Sequence, residues 1–288
     1  MKGVRVTRWI DGTGAARRIR ERVAREITTS FTPDTAPGLA TVLVGQDPAS
    51  AVYVASKRRT VRTLGMRDLH RAVPSNASQR EIASVIDALA EDPAVSGILL
   101  QLPLPAGLDA AALIDRIPVV KDVDGLTTLS AGLLARDQFG LRPCTPAGVI
   151  ELLDSEKVTL AGVNAVVVGR SDLVGRPMGQ MLMNRDATVT VAHKGTADLA
   201  AVTRAADVLV VATGVRGLIG PEHVKPGATV VDVGIHRTPE GLAGDVRAEE
   251  LVGHAARLTP VPGGVGPMTI AMLMANTVRA AEWAREFS

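Results

Sequence analysis

At 288 residues, 46% of them apolar, the chain is long enough for one large domain or two ordinary ones with ample core. A net charge of +2 gives no reason to expect a nucleic acid or a membrane surface as partner, and no apolar run approaches the ~20 residues that cross a bilayer. The single cysteine, Cys144, excludes an internal disulfide, and the N-terminal stretch lacks a signal peptide's apolar core, so the expectation is a soluble, cytoplasmic α/β protein.

Apolar positions at helical spacing run from Gly12 to Thr29 between arginines and glutamates, and the arginines on it suit a solvated face. Leu39–Val44 reads as a buried strand and Ala49–Leu64 as a helix, on which Tyr53 and Lys57 sit four apart and so share a face. Ser78 and Glu81 form a capping-box signature opening a helix to about Ala90. Gly97–Leu102 is another buried strand, closed by Pro103 and Pro105. A helix over Asp109–Ile117, the polar loop Lys121 to Gly125 and a short helix near Ser130–Ala135 follow. The loop to Pro143 reads as a domain junction, with Thr145 capping the next helix and Pro146 at its first position.

In the second half the alternation is cleaner. Strands Val163–Val168, Thr188–Val191, Val208–Ala212 and Thr229–Val233 alternate with helices, and the first, third and fourth run into Gly169, Thr213-Gly214 and Gly234, which suits a doubly wound parallel sheet with ligands beyond the carboxyl ends of its strands. The proline–glycine segment from Thr259 is too elaborate for a simple connector. Met268–Phe287 has the pattern of an amphipathic helix able to pack back on the first domain.

The stretch Asn164 to Gly179, NAVVVGRSDLVGRPMG, joins a strand to a helix start through a glycine turn. Gly169 and Gly175 allow a sharp turn and close backbone approach, and a helix N-terminus favours an anion. Ser171 stands where the second glycine of the usual dinucleotide fingerprint falls, so a plain structural turn is the alternative reading. The next strand ends at His193-Lys194 without the acidic residue that takes unphosphorylated ribose hydroxyls, and Arg170 lies in the turn. Two cations and no carboxylate favour a 2′-phosphate, hence NADP over NAD. Ser171 and Thr213, with Gly234 and Ile235 after the last strand, are further candidates to meet the cofactor. No metal is expected, since five histidines and one cysteine show no ligand spacing. Of 32 basic residues 26 are arginine, which makes each of the six lysines more informative.

The segments GQDPAS (45–50) with Tyr53 and Lys57, GILLQLPLP (97–105), KDVDG (121–125), PCTP (143–146), VVVGRSDLVGRPM (166–178), GDV (244–246) and TPVPGGVGPMT (259–269) occur in this order. Together they closely resemble the bifunctional methylenetetrahydrofolate dehydrogenase/methenyltetrahydrofolate cyclohydrolase family over essentially the whole chain. The resemblance implies a catalytic, folate-binding α/β domain at 1–140, joined by the returning helix 268–288, facing a Rossmann-like NADP domain at 141–267 across a folate-holding cleft. It implies that Lys57 moves the proton in the hydrolytic step, Gln101 orients its amine, Tyr53 stacks on the folate, and Asp124 binds the pterin's amino-pyrimidine edge. Pro262, Gly263 and Gly264 would shape the cleft floor. It further implies a folate in one-carbon metabolism as substrate and a homodimer through the dinucleotide domain. Lys194 departs from the serine that family commonly has beside the 2′-phosphate. A dehydrogenase without the hydrolytic step, or a nucleotide- or folate-binding regulator without turnover, are the competing classes.

Overall fold

The computed structural model describes residues 6–286, so Phe287, the expected end of the last helix, lies outside the described residues. The chain forms two compact units. One joins the residues up to Arg17 to Thr145–Thr269; the other joins Arg18–Cys144 to the segment from Ile270 onward.

The first element is a two-residue strand, β1 (Arg8–Trp9), followed by α1 (Gly12–Ser30). The 18–144 unit then begins its sheet with β2 (Gly38–Val44), which leads to α2 (Pro48–Thr63). Asp47 starts α2 by accepting the Ser50 N–H at 2.7 Å, satisfying a donor the helix itself cannot. The short strands β3 (Arg67–Asp68) and β4 (Arg71–Val73) precede α3 (Gln79–Glu91). The expected capping box opens α3: Glu81 N–H donates to Ser78 Oγ at 3.3 Å and Ser78 N–H to Glu81 Oε2 at 2.7 Å. β5 (Gly97–Leu100) is buried throughout, and α4 (Ala110–Ile114) and α5 (Thr128–Ala135) follow it before the chain leaves this unit. β2 is flanked on one side by β3 and β4 and on the other by β5, every pairing parallel. Ile82 and Ile86 of α3 join Val42 and Ile98 of the sheet in one fully buried cluster. Such burial stabilises by roughly 1.5–3 kcal/mol per large aliphatic side chain.

The 145–269 unit contains α6 (Cys144–Ser155, beyond its first residue), β6 (Asn164–Val168), α7 (Gly175–Met183), β7 (Thr188–Ala192), α8 (Leu199–Thr203), β8 (Val208–Val211) and β9 (Thr229–Asp232). A hairpin of β10 (His236–Thr238) and β11 (Gly241–Ala243) leads to β12 (Arg257–Leu258), and α9 (Val265–Glu286) closes the chain. The sheet order is β1-β12-β9-β8-β6-β7, parallel throughout. After β6 the chain goes to β7 on one side and then to β8 on the other, so β6 and β8 flank the switch point where such sheets bind ligands. No helix among the described residues is long and apolar enough to cross a membrane.

Several expectations are corrected. Residues before Arg18 group with the dinucleotide half because β1 pairs with β12, Arg8 opposite Arg257; a two-residue strand leaves no periodic pattern to read. β5 stops at Leu100, so Gln101 follows the strand, though its N–H still donates to Val42 O at 2.9 Å. Thr145 does not cap α6: the helix begins at Cys144, and the Thr145 hydroxyl bonds that of Thr269 at 2.9 Å. α9 starts at Val265, ahead of Met268, because Pro267 is tolerated in a first helical turn whose N–H groups lack partners anyway.

Candidate active site

Two groups of residues stand out, one in each unit. In the 18–144 unit, α2 carries Lys57 inward to 9% exposure, while Tyr53, one turn earlier, is 44% exposed. Lys57 Nζ donates to Gln101 Oε1 at 3.0 Å, and Gln101 Nε2 donates to Leu102 O at 2.6 Å. The glutamine amide is therefore fixed in one orientation, oxygen toward the lysine. Burial lowers the Lys57 pKa below its ordinary 10.5, against the opposing pull of Asp124 and a smaller one of Cys144. Asp124, half-buried, is raised by the same desolvation, with the Lys57 charge working the other way. Burial and the Asp124 charge push the Cys144 thiol far up, which keeps it a neutral thiol. Burial prevails over attraction for both Lys57 and Asp124, so each is easier to neutralise than in water.

The loop carrying Asp124 is built tightly. Asp122, fully buried, accepts N–H groups from Leu126 at 3.1 Å and Thr127 at 2.8 Å. Gly125 has φ +65°, and a Cβ there would lie 2.6 Å from the Arg142 carbonyl carbon. On the other flank, Asn276 of α9 donates to Val123 O and Arg142 O, both at 2.8 Å.

In the 145–269 unit the turn after β6 is closed by backbone against backbone. Gly169 has φ +128°, and a Cβ on it would lie 2.1 Å from the O of Ala212, the residue just past β8. One on Gly175 would lie 2.2 Å from Gly169 O. Ser171 Oγ accepts the N–H groups of Val174 at 3.2 Å and Gly175 at 3.4 Å, so this side chain shapes the start of α7. Arg170 in the turn and Lys194 after β7 are both exposed. A cradle with no room for side chains, at a helix N-terminus and at the switch point, fits a dinucleotide pyrophosphate.

Thr213 and Gly234 are held from behind. Fully buried Asp245 accepts Thr213 N–H at 2.6 Å, Thr213 Oγ1–H at 2.9 Å and Gly214 N–H at 2.9 Å on one oxygen, and pairs with His236 Nε2 at 2.7 Å on the other. The Thr213 hydroxyl proton is thus committed inside the protein. Asp232 accepts N–H groups from Gly234, Asp245 and Val246 at 2.9, 3.1 and 2.9 Å. Burial, helped by the Asp245 charge, nevertheless raises it to about 6. Ile235 is exposed beside Gly234. In the loop 262–264, Gly263 has φ +100° and its carbonyl accepts the Thr13 N–H at 3.0 Å; a Cβ on Gly12 would collide with Gly264 O. Sequence reasoning assigned no role to Asp122, Asp232, Asp245 or Asn276. The KDVDG and GDV motifs, which contain Asp122 and Asp245, are the signals that point toward two of them.

A doubly wound parallel sheet with a backbone-tight glycine turn, in a chain that also buries a lysine on a fixed glutamine, defines a two-unit α/β enzyme with an NAD(P)-binding domain. The chain belongs to the tetrahydrofolate dehydrogenase/cyclohydrolase family: residues 10–124 match that family's catalytic domain and residues 143–285 its NAD(P)-binding domain. The bifunctional protein FolD 2 of Frankia casuarinae is 63% identical over 275 residues, 95% of either chain. The bifunctional FolD methylenetetrahydrofolate dehydrogenase/cyclohydrolase of Campylobacter jejuni is 41% identical with a TM-score of 0.94, covering 96% of this chain and 99% of that one. The Trypanosoma brucei FolD, solved in complex with NADP cofactor and an inhibitor, is 36% identical with a TM-score of 0.92, over 97% of this chain and 99% of that one.

Proposed function

We propose that the chain oxidises 5,10-methylenetetrahydrofolate to 5,10-methenyltetrahydrofolate with NADP and hydrolyses that product to 10-formyltetrahydrofolate. The observation that carries this reading is Lys57, buried on Gln101 with its pKa lowered, in a chain that also has the glycine turn. A hydride transfer alone has no use for a lysine tuned in this way.

Bound at the glycine turn, the dinucleotide supplies the hydride acceptor. The methylene carbon gives up a hydride, and lone pairs on the two flanking nitrogens stabilise the cation left behind, so the protein's part is positioning. Tyr53 offers an exposed ring face for stacking, and the Asp124 carboxylate matches two adjacent N–H donors of the pterin. In hydrolysis, water oxygen bonds to the cationic methenyl carbon and one water proton passes to neutral Lys57 Nζ. The carbon–N5 bond then breaks with its electrons going to N5, which takes a proton, while the remaining hydroxyl proton leaves to give the formyl group. Burial, and the positive charge of the bound substrate, both favour the neutral amine this requires. Gln101 Oε1 holds Nζ in place through the cycle.

The preference for NADP over NAD rests on Arg170 and Lys194, exposed beside the turn and after β7, and on the NADP complex of the Trypanosoma relative. Pro262, Gly263 and Gly264 serve as a close-approach backbone segment of the dinucleotide unit. The family likeness, together with the open edge strand β7, supports a homodimer through that unit, and the lone buried thiol of Cys144 suits the cytoplasm. Purified protein is given methylenetetrahydrofolate with NADP or NAD, and separately methenyltetrahydrofolate. Both conversions, with NADP the better acceptor, are expected; absence of both overturns the reading.

A further inference from the structure

We propose that Asn276 is a positioning residue for the folate: from α9 it fixes the peptide that carries Asp124. The inference rests on the folate reading above. Asn276 is 5% exposed, in a stretch of helix whose neighbours Leu273, Met274 and Val278 are all core. An asparagine amide has two N–H donors, and this one places both on carbonyls outside its own helix, Val123 O and Arg142 O. Its nitrogen also lies 3.6 Å from Cys144 Sγ. Val123 O accepts a second hydrogen bond, from Cys144 Sγ–H at 3.3 Å. The carbonyl of Val123 belongs to the peptide that ends at Asp124, so its orientation sets where the Asp124 backbone begins.

The geometry leaves that peptide little freedom. Asp122 pins the turn ahead through Leu126 and Thr127, Gly125 lies against Arg142 and Pro143, and Asn276 ties the 123 and 142 strands of chain to each other. Asp124 sits at the centre of these restraints with its carboxylate near Lys57. Asparagine is a poorer choice than alanine for a helix interior, and burying an amide costs more still unless it is paired. A core position on α9 would be better filled by leucine if fastening the helix were its whole task.

A double-mutant cycle separates positioning from fastening. The folate KM, the kcat and the NADP Kd are measured for wild type, Asn276→Leu, Asp124→Asn and the double variant. Acting through Asp124, Asn276→Leu raises the folate KM about tenfold in the wild-type background, the scale of one lost hydrogen-bond restraint. In the Asp124→Asn background it adds less than about threefold, and the NADP Kd stays within about twofold of wild type in both. The same fold-change in both backgrounds, or an unchanged folate KM in Asn276→Leu, overturns the assignment. Should Asn276→Leu fail to fold, Asn276→Ser goes through the same cycle under the same criteria. Wild type that turns over neither folate overturns the underlying function; wild type that turns over both, with an additive cycle, overturns only the role of Asn276.

Discussion

Gln101 accepts the hydrogen bond of Lys57 Nζ on its amide oxygen at 3.0 Å while its amide nitrogen donates to Leu102 O at 2.6 Å. The amine is therefore aimed by a side chain that cannot flip without losing both bonds. Lys57→Gln keeps a polar side chain but has no group able to take a proton at neutral pH. Its hydrolysis of methenyltetrahydrofolate is expected to fall by about 10²-fold or more, the usual scale of a lost acid–base group, with dehydrogenase activity reduced less. Parallel assays of the two conversions check this, and equal loss in both would deny Lys57 a specific part in proton transfer.

The pH profile of the hydrolytic step follows from the directions of the two shifts. Lys57 must be neutral to accept a proton, so the rate rises with pH through its folded pKa, which burial places below 10.5. Asp124 pulls that value up, so Asp124→Asn, assayed at saturating folate, moves the rising limb to lower pH. A limb that stays where it is would mean that Asp124 carries no charge beside the working lysine.

Asp232 gives the fold its own pH dependence. Its folded pKa of about 6 lies above the ordinary 3.8, so between these values the folded chain binds more protons than the unfolded chain. This carboxyl's contribution to stability is therefore present below 3.8 and is lost as pH rises through about 6, a change on the order of 3 kcal/mol. Denaturant unfolding at steps across that window is expected to show this decline, and Asp232→Asn to flatten it. Equal slopes in the two proteins would place the shift elsewhere.

Gly169→Ala tests the cradle. Its Cβ would fall 2.1 Å from Ala212 O, backbone that has no flexible end to swing away, and φ +128° is strained for alanine in any case. NADP affinity is expected to drop about tenfold or more, while hydrolysis, which consumes no cofactor, persists. Retained NADP affinity in a folded variant would remove the turn from the cofactor site.

Charge reversal at Arg170 and Lys194 addresses cofactor choice. Arg170→Glu with Lys194→Glu is expected to raise the NADP KM about tenfold and leave the NAD KM within about twofold, since only the former carries the 2′-phosphate. An equal effect on both cofactors would make these cations general anion attractors.

Much of this was readable in the chain. Strands such as Val166–Val168 and Ile98–Leu100 announce themselves as unbroken β-branched and aliphatic runs, and the Ser78–Glu81 box marks a helix start to the residue. Lys57 is marked by the family resemblance of the segments around it; its helical pattern alone reads as a solvated lysine, to which the scarcity of lysine in this chain adds only weight. What escaped depends on partners far apart in sequence. β1 exists only because β12, some 250 residues later, pairs with it. Asp245 reads as an ordinary acidic loop residue until Thr213, Gly214 and His236 converge on it, and Asn276 looks like a flaw in an apolar helix until its two carbonyl partners are known. Thr145 misled for a local reason: a threonine before proline is the usual helix cap, yet α6 already begins at Cys144.

The grouping of residues up to Arg17 with one unit, and of those from Ile270 with the other, means that neither unit is a single stretch of chain. As the protein emerges from the ribosome, the unit bearing Lys57 and Asp124 therefore waits for the segment from Ile270 onward, which follows the whole 145–269 stretch of the other unit. A gene cut at residue 144 would therefore yield two fragments, each lacking part of itself. Any attempt to separate the two activities by dividing the gene has to carry the first and last segments across the cut, or rejoin the chain in a permuted order.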